Sequence, residues 1–221
     1  MNKKVNIIHK MILFLVLYWF KIQASKAAKI VLAPHFNSNE VGNILYGYWQ
    51  RYIQLKPEVP KMPTFGGSLM LHLSAMSTGF YQELRAKGKD EETTTQLFYA
   101  IGWKVYQKMG RLSWWLAGIG NRTGYERLLK ATKLFRTFPF NSPSYQWRDV
   151  TTEKNVVGFD CLKCPVAEYF ETKGLSRFCT QTWCKLDYPL AELWNARLER
   201  SGSIAGGSKT CDFRWEVKLN K

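Results

Sequence analysis

Acidic residues are scarce in this chain and missing from its first part. Seventeen aspartates and glutamates stand against 32 lysines and arginines, a formal net charge of +15. No acid precedes Glu40, whereas Lys3, Lys4, Lys10, Lys21, Lys26 and Lys29 do. Between Trp103 and Arg136 the one acid is Glu126, set among Lys104, Lys108, Arg111, Arg122, Arg127, Lys130, Lys133 and Arg136. Histidine is nearly absent. His9 and His35 have no partner spacing, and His72, alone within a helical stretch, reads as a partly buried residue satisfied by a neighbour rather than a ligand. An even number of cysteines is lacking too: with five, one is left over after any pairing, which fits reduced thiols in a cytosol better than a disulfide framework. The apolar run Met11–Phe20 spans ten residues, short of the roughly 20 that a membrane crossing needs. Internal repeats, low-complexity tracts and helix-turn-helix, zinc-finger, RRM-like or KH-like signatures are absent, so nucleic acid is not the expected partner.

Aromatic residues are plentiful, with 9 Trp, 11 Tyr and 13 Phe, and exclude a disordered chain. A length of 221 residues suits a hydrophobic, basic N-terminal segment over residues 1–35 and a single α+β domain over 36–221. Basic runs mixed with Trp and Tyr suit an anionic membrane surface, with a solvated basic face as the plainer reading. The N-terminal segment admits several readings. Residues 7–22 can lie in a membrane interface, with Tyr18 and Trp19 at headgroup level and lysines on phosphates. Lys3 and Lys4 before the apolar run, and Ser25-Lys-Ala27 after it, also fit a cleaved signal; an ordinary buried helix is the third reading. The expected location is the cytoplasm with membrane association through this segment. Secretion is the alternative, and would make Asn121-Arg-Thr123 a glycosylation site.

Pro57, Pro60, Pro63 and Gly66-Gly67 predict a loop, with Ser68 capping a helix to about Lys87. Leu69, Leu73, Met76, Phe80 and Leu84 form its apolar face, and Gly88 ends it. A second helix opens at Asp90, carries Leu97, Ile101, Val105 and Met109 inward, and is expected to stop at Gly110. A third helical region over Arg111–Phe138 is interrupted by Gly118, Gly120 and Gly124. Beyond Pro139 the pattern changes. Residues Tyr145–Val150 and Val156–Cys161 predict a hairpin, Cys164-Pro165 opens a helix, Leu186–Trp194 is a shorter helical piece, and Arg197–Ile204 is a strand. From Cys211 the chain alternates: Cys211, Phe213, Trp215, Val217 and Leu219 on one side, Asp212, Arg214, Glu216 and Lys218 on the other, a half-buried strand entered through Gly206-Gly207. The expected class is α+β, N-terminal helices followed by an antiparallel sheet with a helical insert.

The cysteines bracket that insert. Cys164 sits at a helix N-terminus, where partial positive charge favours a thiolate, so it is the best nucleophile by position. Asp187 and Asp212 are candidate general bases or acids. Cys161-x-x-Cys164 with Cys179 and Cys184 hints at zinc, but the second pair has the wrong spacing. A thioredoxin-like βαβ context is also missing, so no metal and no cofactor is expected. Cys161 and Cys179 read as small buried hydrophobes. Adjacent strand residues face opposite sides, so Cys211 and Asp212 should not line one pocket.

The segments Gly158-Phe-Asp-Cys-Leu-Lys-Cys-Pro-Val-Ala-Glu-Tyr-Phe170, Cys184-Lys-Leu-Asp187, Leu198-Glu-Arg200, Ser203-Ile-Ala-x-Gly207 and Cys211-Asp-Phe-Arg214 resemble, in order and spacing, the L-2-amino-thiazoline-4-carboxylic acid hydrolase family. The resemblance is close over about residues 156–215, looser over Gly66–Gly110, and does not reach the first sixty residues. Ser203 stands where the family pattern more often has threonine, and Cys161 and Cys179 look additional. The resemblance implies a hydrolase acting on a C–N bond of a small cyclic amidine, opening the ring to a carbamoyl-cysteine. It marks Cys164, Cys184, Asp187, Cys211, Asp212 and Arg214 as site positions. On that footing Cys164, or a water activated by Asp187, attacks the ring carbon, and Arg200 or Arg214 holds the substrate carboxylate. An ion pair of Asp212 with Arg214 is the structural reading of those two. The partner is then a small molecule. The rival reading is a ligand-binding or sensor module without catalysis, similar to domains related to 4-vinyl reductases; a membrane-bound accessory protein is a third.

Overall fold

The computed structural model describes residues 3–120 and 123–218. Leu219 and the Asn121-Arg122 part of the glycosylation triplet lie outside the described residues. The fold is α+β, with helices leading into an antiparallel sheet that carries a helical insert. It divides into two compact units, 1–105 and 106–221. The boundary drawn from composition at residue 35 therefore falls inside the first unit.

The first unit opens with α1 (Lys3–Leu32), which does not end where the apolar decapeptide ends. Ala, Ile, Val and Leu after Lys21 sustain it, so 25 residues, Ile8–Leu32, are long and apolar enough to cross a membrane. One side of α1 is buried through Leu17, Phe20, Ala27, Ala28 and Leu32, while Met11, Phe14, Leu15, Tyr18 and Trp19 are exposed. Helix α2 (Ser38–Leu55) starts in a capping box: Asn37 accepts from the Glu40 amide, and the Glu40 carboxylate accepts from the Asn37 amide. Helix α3 (Phe65–Ala86) crosses α2 at two glycines. A Cβ on Gly79 would stand 2.9 Å from the Tyr48 carbonyl oxygen, and Gly47 leaves room for Glu83, which binds Arg51 at 2.8 Å.

Two helix boundaries differ from the sequence reading. Thr64, not Ser68, caps α3, accepting from the Gly67 amide at 3.0 Å, so Gly66-Gly67 form the first helical turn instead of a loop. Helix α4 (Glu91–Ala117) runs past Gly110. This glycine is there for packing: a Cβ would meet Leu190 Cδ1 at 2.4 Å, and its carbonyl accepts from Trp194 Nε1 at 2.9 Å. His72 lies in α3 against the Tyr52 hydroxyl at 3.2 Å. Burial, with Lys56 nearby, lowers its pKa to about 4.

The second unit contains the end of α4, α5 (Gly124–Thr137), the strands β1 (Gln146–Val150) and β2 (Val156–Lys163), then α6 (Pro165–Thr172), α7 (Ser176–Gln181), α8 (Asp187–Leu193), β3 (Ala196–Glu199) and β4 (Cys211–Val217). The sheet order is β1-β2-β4-β3, antiparallel throughout. The predicted strand over 197–204 stops at Glu199. Beyond it Ser203 caps a single 3-10 turn, and Gly207, at φ 90°, turns the chain toward β4. Period two holds in β4, where Cys211, Phe213 and Trp215 are buried. Trp194, almost fully buried, packs against Trp114, Phe135 and Trp215, and anchors α8 beneath the sheet.

Candidate active site

The pairing of β2 with β4 sets Cys161 directly opposite Cys211. Two residues beyond Cys161, the strand gives way to Cys164, which caps α6 with Pro165 in the first helical position. Cys184 starts the 3-10 turn that runs into α8, and Asp187 opens α8 itself. Chain segments distant in sequence therefore carry five sulfurs into one region. The Cys161 thiol donates to the Lys163 carbonyl at 3.2 Å and has Cys164 and Cys211 beside it, and Cys179 has Cys184 beside it. All five are free thiols.

The thiols differ in charge preference. Hydrogen bonds with Cys164 and Cys211, then burial, push the Cys161 pKa up. Cys179 is raised by its bond with Cys184 and by burial. Cys211 moves the other way, because the neighbouring Cys161 side chain, the Ile204 amide, which donates to it at 3.2 Å, and the nearby Arg200 cation all favour its thiolate. Those gains outweigh burial, which acts against the thiolate. Position at a helix N-terminus points to Cys164, and Cys211 is the thiol that accepts from a backbone amide, that of Ile204.

Asp187 is the carboxyl group of the cluster. Its side chain is 20% exposed, and burial lifts its pKa to about 6 despite the Arg200 guanidinium and the Tyr106 hydroxyl, both of which favour the carboxylate. Arg200, with a side chain 6% exposed, donates from Nη1 to Asp187 Oδ2 at 3.1 Å and from Nη2 to the Cys184 carbonyl at 3.0 Å. Its guanidinium also lies over the rings of Phe213 and Tyr188, at 5.2 and 5.4 Å. Arg200 thus fixes both the carboxylate and the turn carrying Cys184. Tyr106 comes from the middle of α4, and its pKa is raised by burial and by Asp187. The fully buried Tyr145 hydroxyl has no hydrogen-bond partner in the structure and lies within electrostatic reach of Cys164, Cys161 and Cys179.

Two candidates are not brought to this cluster. Asp212 accepts from the Ser201 amide at 3.0 Å, the Ser201 hydroxyl at 2.6 Å and the Gly202 amide at 2.9 Å. Although burial alone would raise it, these donors hold its carboxyl at about 2. It organises the β3–β4 connection. Arg214, on the same sheet side, pairs with Asp160 at 3.0 Å and donates to the Phe159 and Phe213 carbonyls. Arg214 therefore pairs with Asp160, which Arg148 also binds at 2.7 Å, and not with Asp212. Strand alternation is the reason: with Cys211 turned inward, residues 212 and 214 must turn away. Cys164, Cys184, Asp187, Arg200 and Cys211 do assemble. Tyr106 and Tyr145 complete the group without a sequence signal, since neither stands at a motif spacing. No three His, Cys, Asp or Glu side chains among the described residues are arranged to hold a metal ion.

A family model described as L-2-amino-thiazoline-4-carboxylic acid hydrolase matches residues 71–215. No curated protein matches. The matched span takes in every residue of the cluster, and the chain belongs to this family.

Proposed function

We propose, from membership of this family, that the chain opens a small cyclic amidine of the 2-aminothiazoline type by adding water to the ring carbon between nitrogen and sulfur. The water oxygen bonds to that carbon, and the bond that breaks is carbon–sulfur, not the carbon–nitrogen bond expected from the sequence, since a carbamoyl-cysteine keeps both carbon–nitrogen bonds. One water proton ends on sulfur and the other on the ring nitrogen, giving a carbamoyl-cysteine with a free thiol. The observation that carries this reading is Asp187, a carboxylate with a pKa of about 6, held by Arg200 and Tyr106 beside the thiols. A base with that pKa is ionised at neutral pH, yet basic enough to take a proton from water and return it to the leaving sulfur.

The surroundings of Cys211 favour its thiolate, which would attract the ring, cationic as a protonated amidine. The Tyr145 hydroxyl, unsatisfied within the protein, is a donor for a bound polar atom. Arg200 acts as a positioning residue, because its bonds go to Asp187 and Cys184.

The test is incubation of the purified chain with 2-aminothiazoline-4-carboxylate and chromatographic detection of a product bearing a new thiol. Turnover that falls by about 100-fold or more in Asp187→Asn supports the assignment. A wild-type protein that retains the ring unopened would instead be a binding module, and would sink the hydrolase reading.

A further inference from the structure

The end of α4 and the start of α5 carry an apolar surface that the site chemistry does not use. Leu112, Trp115, Leu116 and Ile119 fall three and four residues apart along one side of α4 and the turn that follows. Leu112, Trp115 and Ile119 are 57%, 63% and 55% exposed. Tyr125 and Leu129 add exposed rings and methyls from α5. A tryptophan and three aliphatic side chains facing water along one stripe are more than the single exposed apolar residues of an ordinary surface.

Side chains of α5 reach back to the end of α4. The Arg127 guanidinium donates to the Trp114 carbonyl at 3.1 and 2.9 Å and lies 4.0 Å over the Trp114 ring. The Lys130 ammonium donates to the Ile119 carbonyl at 3.3 Å. These contacts tie α5 to the end of α4 that carries the apolar stripe.

Charge around it is mostly positive. Lys108 and Arg111 precede the stripe on α4, and Lys130 and Lys133 follow on α5. Glu126, the acid of this stretch, accepts from the Thr123 amide and hydroxyl at 3.0 and 3.2 Å, so it serves the α5 cap. Aliphatic side chains and an interfacial tryptophan ringed by cations match a bilayer with anionic headgroups: the apolar groups enter the acyl boundary and the cations meet phosphates. A nucleic-acid backbone would answer the charge but leave the aliphatic groups facing water.

We propose that this α4–α5 tip is a peripheral docking surface for anionic phospholipid bilayers. The surface is independent of the catalytic assignment, and its test does not read turnover. The full chain is sedimented with vesicles of phosphatidylcholine alone and of phosphatidylcholine mixed with phosphatidylserine. Trp115→Ser/Ile119→Ser and Arg111→Glu/Lys133→Glu are compared with the wild type. All four positions are exposed, so unchanged circular dichroism and unfolding midpoint are expected.

The wild type should prefer the anionic vesicles and lose affinity as salt rises. The apolar variant should bind both vesicle types about tenfold more weakly. The charge variant should lose about tenfold on anionic vesicles and little on neutral ones. Wild-type affinity retained by both variants would overturn the proposal, since α1 alone would then account for any binding. A wild-type dimer that the apolar variant dissociates, with no vesicle binding, would overturn it in favour of a contact between copies.

Discussion

Replacing Asp187 by asparagine should change how stability depends on pH as well as turnover, and the sign follows from the structure. In the fold the carboxyl has a pKa of about 6, against an ordinary 3.8, because burial outweighs the help of Arg200 and Tyr106. Below pH 3.8 both the folded and unfolded chains hold the proton. Between there and about 6 the folded chain keeps a proton that the unfolded chain releases, so rising pH costs stability. Above that window the whole difference remains, about 3 kcal/mol from roughly 1.4 kcal/mol for each pH unit between the two values. Asparagine cannot ionise. Urea unfolding of both proteins from about pH 3.5 to 7 should show the stability difference moving about 3 kcal/mol in the variant's favour. His72 acts in the opposite direction: its pKa of about 4 means stability is lost as pH falls from 6.5, but that slope is common to both proteins and cancels. Parallel curves would refute the claim that Asp187 is forced to ionise in a buried site.

Other outcomes follow from the same geometry. Cys211→Ala should raise KM for a cationic ring by about tenfold or more and lower kcat less, whereas a covalent nucleophile at 211 would lose kcat almost entirely. Asp212→Ala removes three hydrogen bonds from the β3–β4 connection and should cost about 1–3 kcal/mol in urea unfolding. The stability that Asp212 adds should disappear as pH falls from its ordinary 3.8 toward about 2, a loss absent in the variant. Gly110→Val should lower the unfolding midpoint, at a cost of about 1–3 kcal/mol, because its side chain would collide with Leu190 and Leu193. Tyr145→Phe should leave folding intact, since the hydroxyl has no partner within the protein, and should lower turnover about tenfold if that hydroxyl meets the substrate.

The strand at Cys211–Val217, the hairpin before it and the α6 start at Cys164-Pro165 were legible because period two, turn residues and an N1 proline are local signals. So was the opposition of Cys211 to Asp212, which needs only alternation along a strand. Gly110 was misread for a matching reason: a glycine near the end of an apolar pattern looks like a stop until Leu190 and Trp194 are seen packed on it. Gly66-Gly67 misled likewise, since a cap at Thr64 draws both into the first helical turn.

What the chain by itself determined was a class of fold, an apolar basic first helix, and a set of sulfur and carboxyl groups around an insert. Only the tertiary structure decided which of them meet. Arg200 was expected to hold a substrate carboxylate, but its guanidinium binds Asp187, 13 residues away in the chain, and Tyr106 carried no motif at all. The proton affinity of Cys211 depends on Cys161, which lies fifty residues earlier and faces it across two strands. Proton affinity is set by burial and by donors within a few ångströms, and the packing of distant segments, not local spacing, supplies both.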